Sequence, residues 1–164
     1  MSKASGETQY VTLGLGDEVF AAPVEVVCEI LEYRRPFGIP DGPSYLLGLT
    51  DVRGRGVPTI DLRAKLGLTP TEVTPATRIL VIEAPVEDKV LSLGLVADRV
   101  IEVVTFRNEQ IEAAPDIGVP WRSEYIQGVV KSQSGFVVIF NLARLLTSQE
   151  AAALPQPETV EAAA

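Results

Sequence analysis

The chain has 164 residues, 46% hydrophobic and 22% charged, a globular balance sized for one domain or two small subdomains. Its net charge of -8 makes phosphate backbones and anionic membrane surfaces poor partners. The absence of histidine excludes Ser-His-Asp and Cys-His nucleophile systems and His-ligated zinc, and the single cysteine, Cys28, excludes an internal disulfide and a four-cysteine metal site.

Residues 1–8 are polar, lack the apolar run of a signal peptide, and are expected to be disordered. One lone thiol and no leader point to a reducing cytoplasm. The folded part is expected over residues 9–149. Its apolar runs are short, rich in Val, Ile and Leu, and punctuated by Gly and Pro, the pattern of all-β barrels or sandwiches. Strands are predicted at Tyr10–Leu15, Val19–Ala22, Cys28–Tyr33, Leu46–Val52 and Val57–Ile60, and again at Arg78–Glu83, Val90–Val96, Ile101–Thr105, Tyr125–Lys131 and Phe136–Phe140. Gly16-Asp17-Glu18 and Arg53-Gly54-Arg55-Gly56 suit hairpin turns. One short helix is predicted at Asp61–Gly67: Asp61 caps its start, Leu62 and Leu66 share a face, and Gly67 takes the left-handed end. The segment Thr69–Thr77 (TPTEVTPAT) suits a connector. Residues 150–164 (EAAALPQPETVEAAA) are expected to form a flexible Ala/Glu/Pro tail. The main uncharged apolar stretches, Val90–Ala97 and Gly135–Ala143, fall far short of the ~20 residues that span a bilayer.

An internal repeat organises the chain. Tyr45-Leu46-Leu47-Gly48 recurs as Tyr125-Ile126-Gln127-Gly128, at an offset of 80 that also aligns Val57 with Val137 and Asp61-Leu62 with Asn141-Leu142. Val27-Cys28-Glu29-Ile30 recurs as Val100-Ile101-Glu102-Val103, at an offset of 73. Two similar β-rich units follow, around residues 10–68 and 78–147, with strand exchange between them left open.

Little in the sequence carries chemistry. Gly14-x-Gly16 lacks the rest of a phosphate-binding pattern and suits a turn. Arg53-Gly54-Arg55-Gly56 is a single RG copy in an acidic chain, so RNA is a poor partner; its arginines suit either solvent or carboxylate recognition at a hairpin tip. The pairs Asp17/Glu18 and Glu83/Glu87 suit loop charges better than an acid–base pair. Pro58 interrupts an apolar run and argues for an edge strand, either a protected boundary or a docking surface. Val27 and Glu29 are expected on one strand face, as an interface or as a sheet face with one solvated glutamate, with Cys28 turned inward.

These residues resemble a known family. Gly48-Leu49-Thr50-Asp51-Val52-Arg53-Gly54-Arg55-Gly56-Val57-Pro58-Thr59-Ile60-Asp61-Leu62-Arg63 is similar to the signature hairpin of CheW-type chemotaxis coupling proteins. Val27-x-Glu29-Ile30, Pro40…Pro43-x-Tyr45, Gly94–Val100 and Tyr125-Ile126-x-Gly128 match in the same order. The chain departs from the pattern at Asp51-Val52, where Asn-Leu is usual, at Ala97 and at Glu112.

The resemblance implies a CheW-like fold of two SH3-like five-stranded β-barrel subdomains with one or two short helices. It implies no enzymatic activity and no cofactor or metal. The implied role is a cytoplasmic adaptor, recruited to membrane-associated receptor arrays. Its partners would be methyl-accepting chemoreceptors and the C-terminal regulatory domain of a chemotaxis histidine kinase, with no nucleic acid and no membrane insertion. Carried over by position, Val27, Glu29, Gly48, Arg53, Gly94, Val100 and Val103 would line a receptor-binding groove between the barrels. Arg55, Val57, Pro58 and Ile60, with Glu112 and Ile117 of the 112–119 loop, would contact the kinase. The same scaffold in a non-flagellar chemosensory pathway is the alternative. A carboxylate-based hydrolase and a purely structural oligomer are the other classes, to be separated by turnover and by self-association.

Overall fold

The computed structural model describes residues 6–40, 42–86, 89–113, 125–133, 135–146, 150 and 154. Its strands are β1 (Glu7–Leu15), β2 (Glu18–Pro23), β3 (Val27–Glu32), β4 (Leu46–Val52), β5 (Arg55–Asp61), β6 (Arg78–Val86), β7 (Lys89–Ala97), β8 (Arg99–Arg107), β9 (Ile111–Glu112), β10 (Ile126–Ser132) and β11 (Gly135–Phe140). Each predicted strand is present, several longer at their ends. The two-residue β9 was not predicted, because no alternating run marks it. Thr8 is not part of a disordered end: β8 reaches Arg107, pairs it with Glu7 and so extends β1, and Asn108 N–H donates to the Gly6 carbonyl at 2.7 Å.

The helix α1 (Leu62–Leu66) forms as its sequence predicts. Asp61 Oδ1 accepts from the Arg63 N–H at 3.0 Å, Gly67 closes the helix at φ 77°, and Leu62 and Leu66 are buried. The Arg53-Gly54 hairpin tip has φ 55° and 85°, the two positive values that a two-residue turn between twisted strands requires.

The strands form two sheets, ordered β8-β1-β2-β11-β10-β9 and β3-β6-β7-β5-β4. Both are parallel at one join, β2 with β11 and β7 with β5. The two sheets therefore share a five-strand plan in which β8, β1, β2, β11 and β10 correspond to β3, β6, β7, β5 and β4. The repeat offsets appear in the register: Ala21 pairs with Ile139 as Gly94 pairs with Thr59. Each sheet draws strands from both sequence units, since the first hairpin of each unit completes the other's sheet.

Among the described residues, three apolar cores result. The largest fills the space between the sheets and stacks Phe20 of β2 on Phe140 of β11, with ring centroids 5.0 Å apart. Burying one such ring contributes about 2–3 kcal/mol. A second core, with Tyr10, Val130 and Ile139, lies on the other face of the six-stranded sheet; a third, with Val57, Ile79 and Val81, lies on the other face of the five-stranded one.

Pro58 is not on an edge strand, since β5 runs between β7 and β4. Leu49, opposite Pro58, gives its N–H and its carbonyl to Phe37 instead, at 2.8 and 2.7 Å. Pro58 thus stands at a non-hydrogen-bonded position, and β5 joins β7 only from Thr59 onward. The expectation of a solvated tail also fails at its two described residues. Leu154 is buried in the inter-sheet core, and Glu150 receives Lys65 Nζ on both carboxylate oxygens at 2.8 Å. The alanine-rich composition hid one charge and one apolar anchor.

Candidate functional site

Strands β3 and β8 end their sheets on the same side of the shared plan. Each carries a bulge at the same repeat position. Val27 pairs with Ile82 and Glu29 with Val81, leaving Cys28 as the extra residue. Val100 pairs with Leu13 and Glu102 with Thr12, leaving Ile101 extra.

The bulge overturns the expected alternation. Adjacent residues on β6 point to opposite faces, so Val27, opposite Ile82, faces the inter-sheet core, while Glu29, opposite Val81, faces the core of the five-stranded sheet. Val27 and Glu29 therefore do not share a face. Cys28 is exposed rather than buried. Desolvation, followed by the charges of Glu83 and Glu29, pushes its thiol up from the ordinary 9.0.

On the inter-sheet face, Val27 and Val100 are partly buried against the core. One step outward, Val103 is 57% exposed and its repeat counterpart Ile30 is 43% exposed. Their partners, Val11 and Leu80, both belong to the inter-sheet core. Two edge strands thus raise a matched apolar rim, Val27 and Ile30 from one and Val100 and Val103 from the other. Ile30 was missed as a site residue. The repeat offset that pairs it with Val103 was the signal that identifies it.

Glu29 and Arg53 meet on the opposite face, where they form an ion pair. Asp51 Oδ1 accepts from the Gly54 N–H at 2.8 Å, and the Asp51 carbonyl accepts from Arg34 Nη2 at 2.9 Å, which holds the hairpin tip in place. Arg53 is 80% exposed, so the pair contributes only ~0–1 kcal/mol to stability and its guanidinium stays within reach of a partner. The pair borders a shallow 260 Å³ pocket with Cys28, Val57, Val81 and Ser92.

Gly48 and Gly94 are buried. Gly48, at φ 144°, lets this chain's own Phe37 carbonyl approach where a Cβ would stand. Its counterpart Gly128 does the same for β9, since a Cβ would lie 2.6 Å from Ile111 Cγ2. A Cβ on Gly94 would lie 2.7 Å from Thr59 Oγ1. Of the residues expected to meet a kinase, Arg55 and Glu112 are exposed, whereas Val57, Pro58 and Ile60 are buried within the sheets. They are apolar because β5 is interior. Ile117 lies outside the described residues.

The junction between β7 and β8 is held by charge. Arg63 grips Asp98 with two hydrogen bonds, Nε at 3.1 Å and Nη2 at 2.5 Å, and Asp98 Oδ2 also accepts from the Gly16 N–H at 2.7 Å. The Arg63 hydrogen bonds hold the Asp98 carboxyl below its usual range. Nearby, Lys65 is 5% exposed and lies 4.4 Å from the ring centre of Tyr45 and 5.7 Å from that of Tyr125. Burial, then the charge of Glu150, pushes the Tyr45 phenol up to about 12. Among the described residues, no three His, Cys, Asp or Glu side chains are placed to hold a metal ion, and no helix is long and apolar enough to cross a membrane.

Residues 9–150 match the family model of the CheW-like domain. A chemotaxis protein CheW of Klebsiella aerogenes is 30% identical over 155 residues, 93% of this chain and 91% of that one. A probable chemotaxis protein CheW of Rhizobium etli is 29% identical over 148 residues, 90% of this chain and 93% of that one. In fold, the crystal structure of the scaffolding protein TtCheW from Thermoanaerobacter tengcongensis aligns with a TM-score of 0.77 at 23% identity, covering 87% of this chain and 90% of that one.

Proposed function

The chain belongs to the CheW-like domain family, and from that premise we propose that it is a non-enzymatic adaptor that joins chemoreceptor tips to the regulatory domain of a chemotaxis histidine kinase. The observation that carries the receptor half is the apolar rim of Val27, Ile30, Val100 and Val103, raised from two edge strands over the inter-sheet core. A helical hairpin has the shape to lay an apolar stripe along such a rim. Glu29 and Arg53 lie on the other face of β3, and the exposed guanidinium at the hairpin tip adds charge selection beyond the rim. The kinase half falls to the exposed Arg55 on the β4–β5 hairpin and to Glu112 with the loop that follows it. No bond is made or broken; binding two partners at once couples their affinities. The protein would act in the cytoplasm, gathered at receptor arrays by these contacts.

Calorimetric titration with the regulatory domain of the kinase encoded in the same cell tests this directly. Saturable one-to-one binding is expected. Val103→Asp and Arg53→Glu should each leave that binding within twofold while reducing receptor capture at least tenfold. A failure of every such kinase domain to bind would remove the adaptor reading. Binding only to the kinase of a second chemosensory system would place the chain in the alternative pathway.

A further inference from the structure

The six-stranded sheet carries a second pocket at the repeat position of the one beside Glu29. Glu102, Val137, Val19, Ser132 and Gln133 line it, at the positions of Glu29, Val57, Ser92, Val52 and Arg53 in the first. It is the larger, at 390 Å³ against 260 Å³. Phe106 and Val104 widen its apolar floor. The decisive difference is at the hairpin tip. In the first pocket Arg53 meets Glu29. In the second, Gln133 replaces the arginine, and Glu102 has no cationic partner among the described residues, its backbone being held by Thr12 Oγ1 at 2.9 and 3.1 Å. A carboxylate above an apolar floor, with its cation missing, selects a guanidinium on a short apolar stem.

We propose that this pocket docks an arginine-bearing segment of a partner protein, whose guanidinium takes on Glu102 the place that Arg53 takes on Glu29. A partner is favoured over a second copy because Arg53 is already engaged within its own chain and because two copies at -8 each repel. The site lies on the face of β8 opposite Val100 and Val103, so it is separate from the receptor rim and does not depend on it.

The probe is an acetylated, amidated Val-Arg-Gly-Val peptide, compared with the same peptide carrying citrulline, which keeps the shape and removes the charge. Binding is followed by methyl NMR shifts of Val19, Val104 and Val137, with the whole chain folded. Saturation at millimolar peptide is expected at these methyls, weakened at least fivefold by citrulline and by Glu102→Gln. Gln133→Arg should close the site from within by pairing with Glu102, and so reduce peptide binding as strongly. Glu29→Gln should leave it unchanged. Equal binding of the citrulline peptide, no effect of Glu102→Gln, or no saturation at these methyls would each overturn the proposal. So would self-association in sedimentation that disappears with Arg53→Glu, because the occupant would then be a second copy.

Discussion

The two sheets share strand order, both bulges, the parallel join and even a loop hydrogen bond. Asp61 N–H donates to the Tyr45 carbonyl at 2.9 Å, and Asn141 N–H donates to the Tyr125 carbonyl at 2.8 Å. They differ in where charge was placed. Arg53, Arg63 and Lys65 belong to the unit that also supplies β3–β5, and each is ion-paired, with Glu29, Asp98 and Glu150. At the repeat positions stand Gln133, Ala143 and Leu145. Backbone geometry therefore does not need those charges; one copy of the plan forms without them. Each can be removed to see what it fixes.

The largest effect is expected at the β7–β8 junction. Arg63 and Asp98 are mostly buried, so Asp98→Ala strands a guanidinium and should cost about 3 kcal/mol in chemical denaturation. The pair also makes stability depend on pH. The Asp98 carboxyl titrates lower in the folded chain than its ordinary 3.8, so its contribution is complete above that value. It is lost as pH falls from there through the lower folded value. Asp98→Asn should flatten the stability curve in that acid window, and an unchanged slope would show that the pair does not control it.

Next comes the buried lysine. Glu150→Ala leaves Lys65 charged between two tyrosine rings and should cost about 2 kcal/mol. Leu145, buried at the repeat position, suggests the repair. Adding Lys65→Leu to Glu150→Ala should restore stability to within about 1 kcal/mol of the parent. A double variant as weak as the single one would mean that the lysine does more than meet Glu150.

The smallest effect is at the hairpin tip. Arg53→Ala should change stability by less than about 1 kcal/mol, because the side chain is exposed, just as the other sheet stands with Gln133 there. A larger loss would mark the Glu29 pair as structural rather than as a surface held ready for a partner.

Much of this architecture was legible in the residues. Short Val/Ile/Leu runs between Gly and Pro gave the strands, because a β-strand needs only alternation and a turn to end it. Asp61, Leu62, Leu66 and Gly67 gave the helix, because capping is a local matter of one carboxylate and one left-handed glycine. The two repeat offsets gave two similar β-rich units and left open whether they exchange strands, which the sheet order then decided. What failed were several inferences that needed a neighbour. Pro58 looked like an edge, yet whether a missing N–H matters depends on which flank the next strand occupies and where its pairing begins. Val27 and Glu29 looked like one face, until a single extra residue, Cys28, turned them apart. Gly48 looked open to a partner, and Phe37 of the same chain fills the space. Glu150 and Leu154 looked solvated, for want of any local sign of Lys65 or of the core beneath them.

By itself, then, the sequence determined the strands, the helix and the repeat, because these rest on local periodicity, capping and spacing, and it carried the family through the resemblance of the Gly48–Arg63 motif. The tertiary structure alone decided which face each side chain presents, which charges meet, and that one carboxylate of a matched pair is left without its arginine. Those outcomes depend on register and on strands exchanged between units far apart in the chain, and a shift of one residue is enough to reverse them.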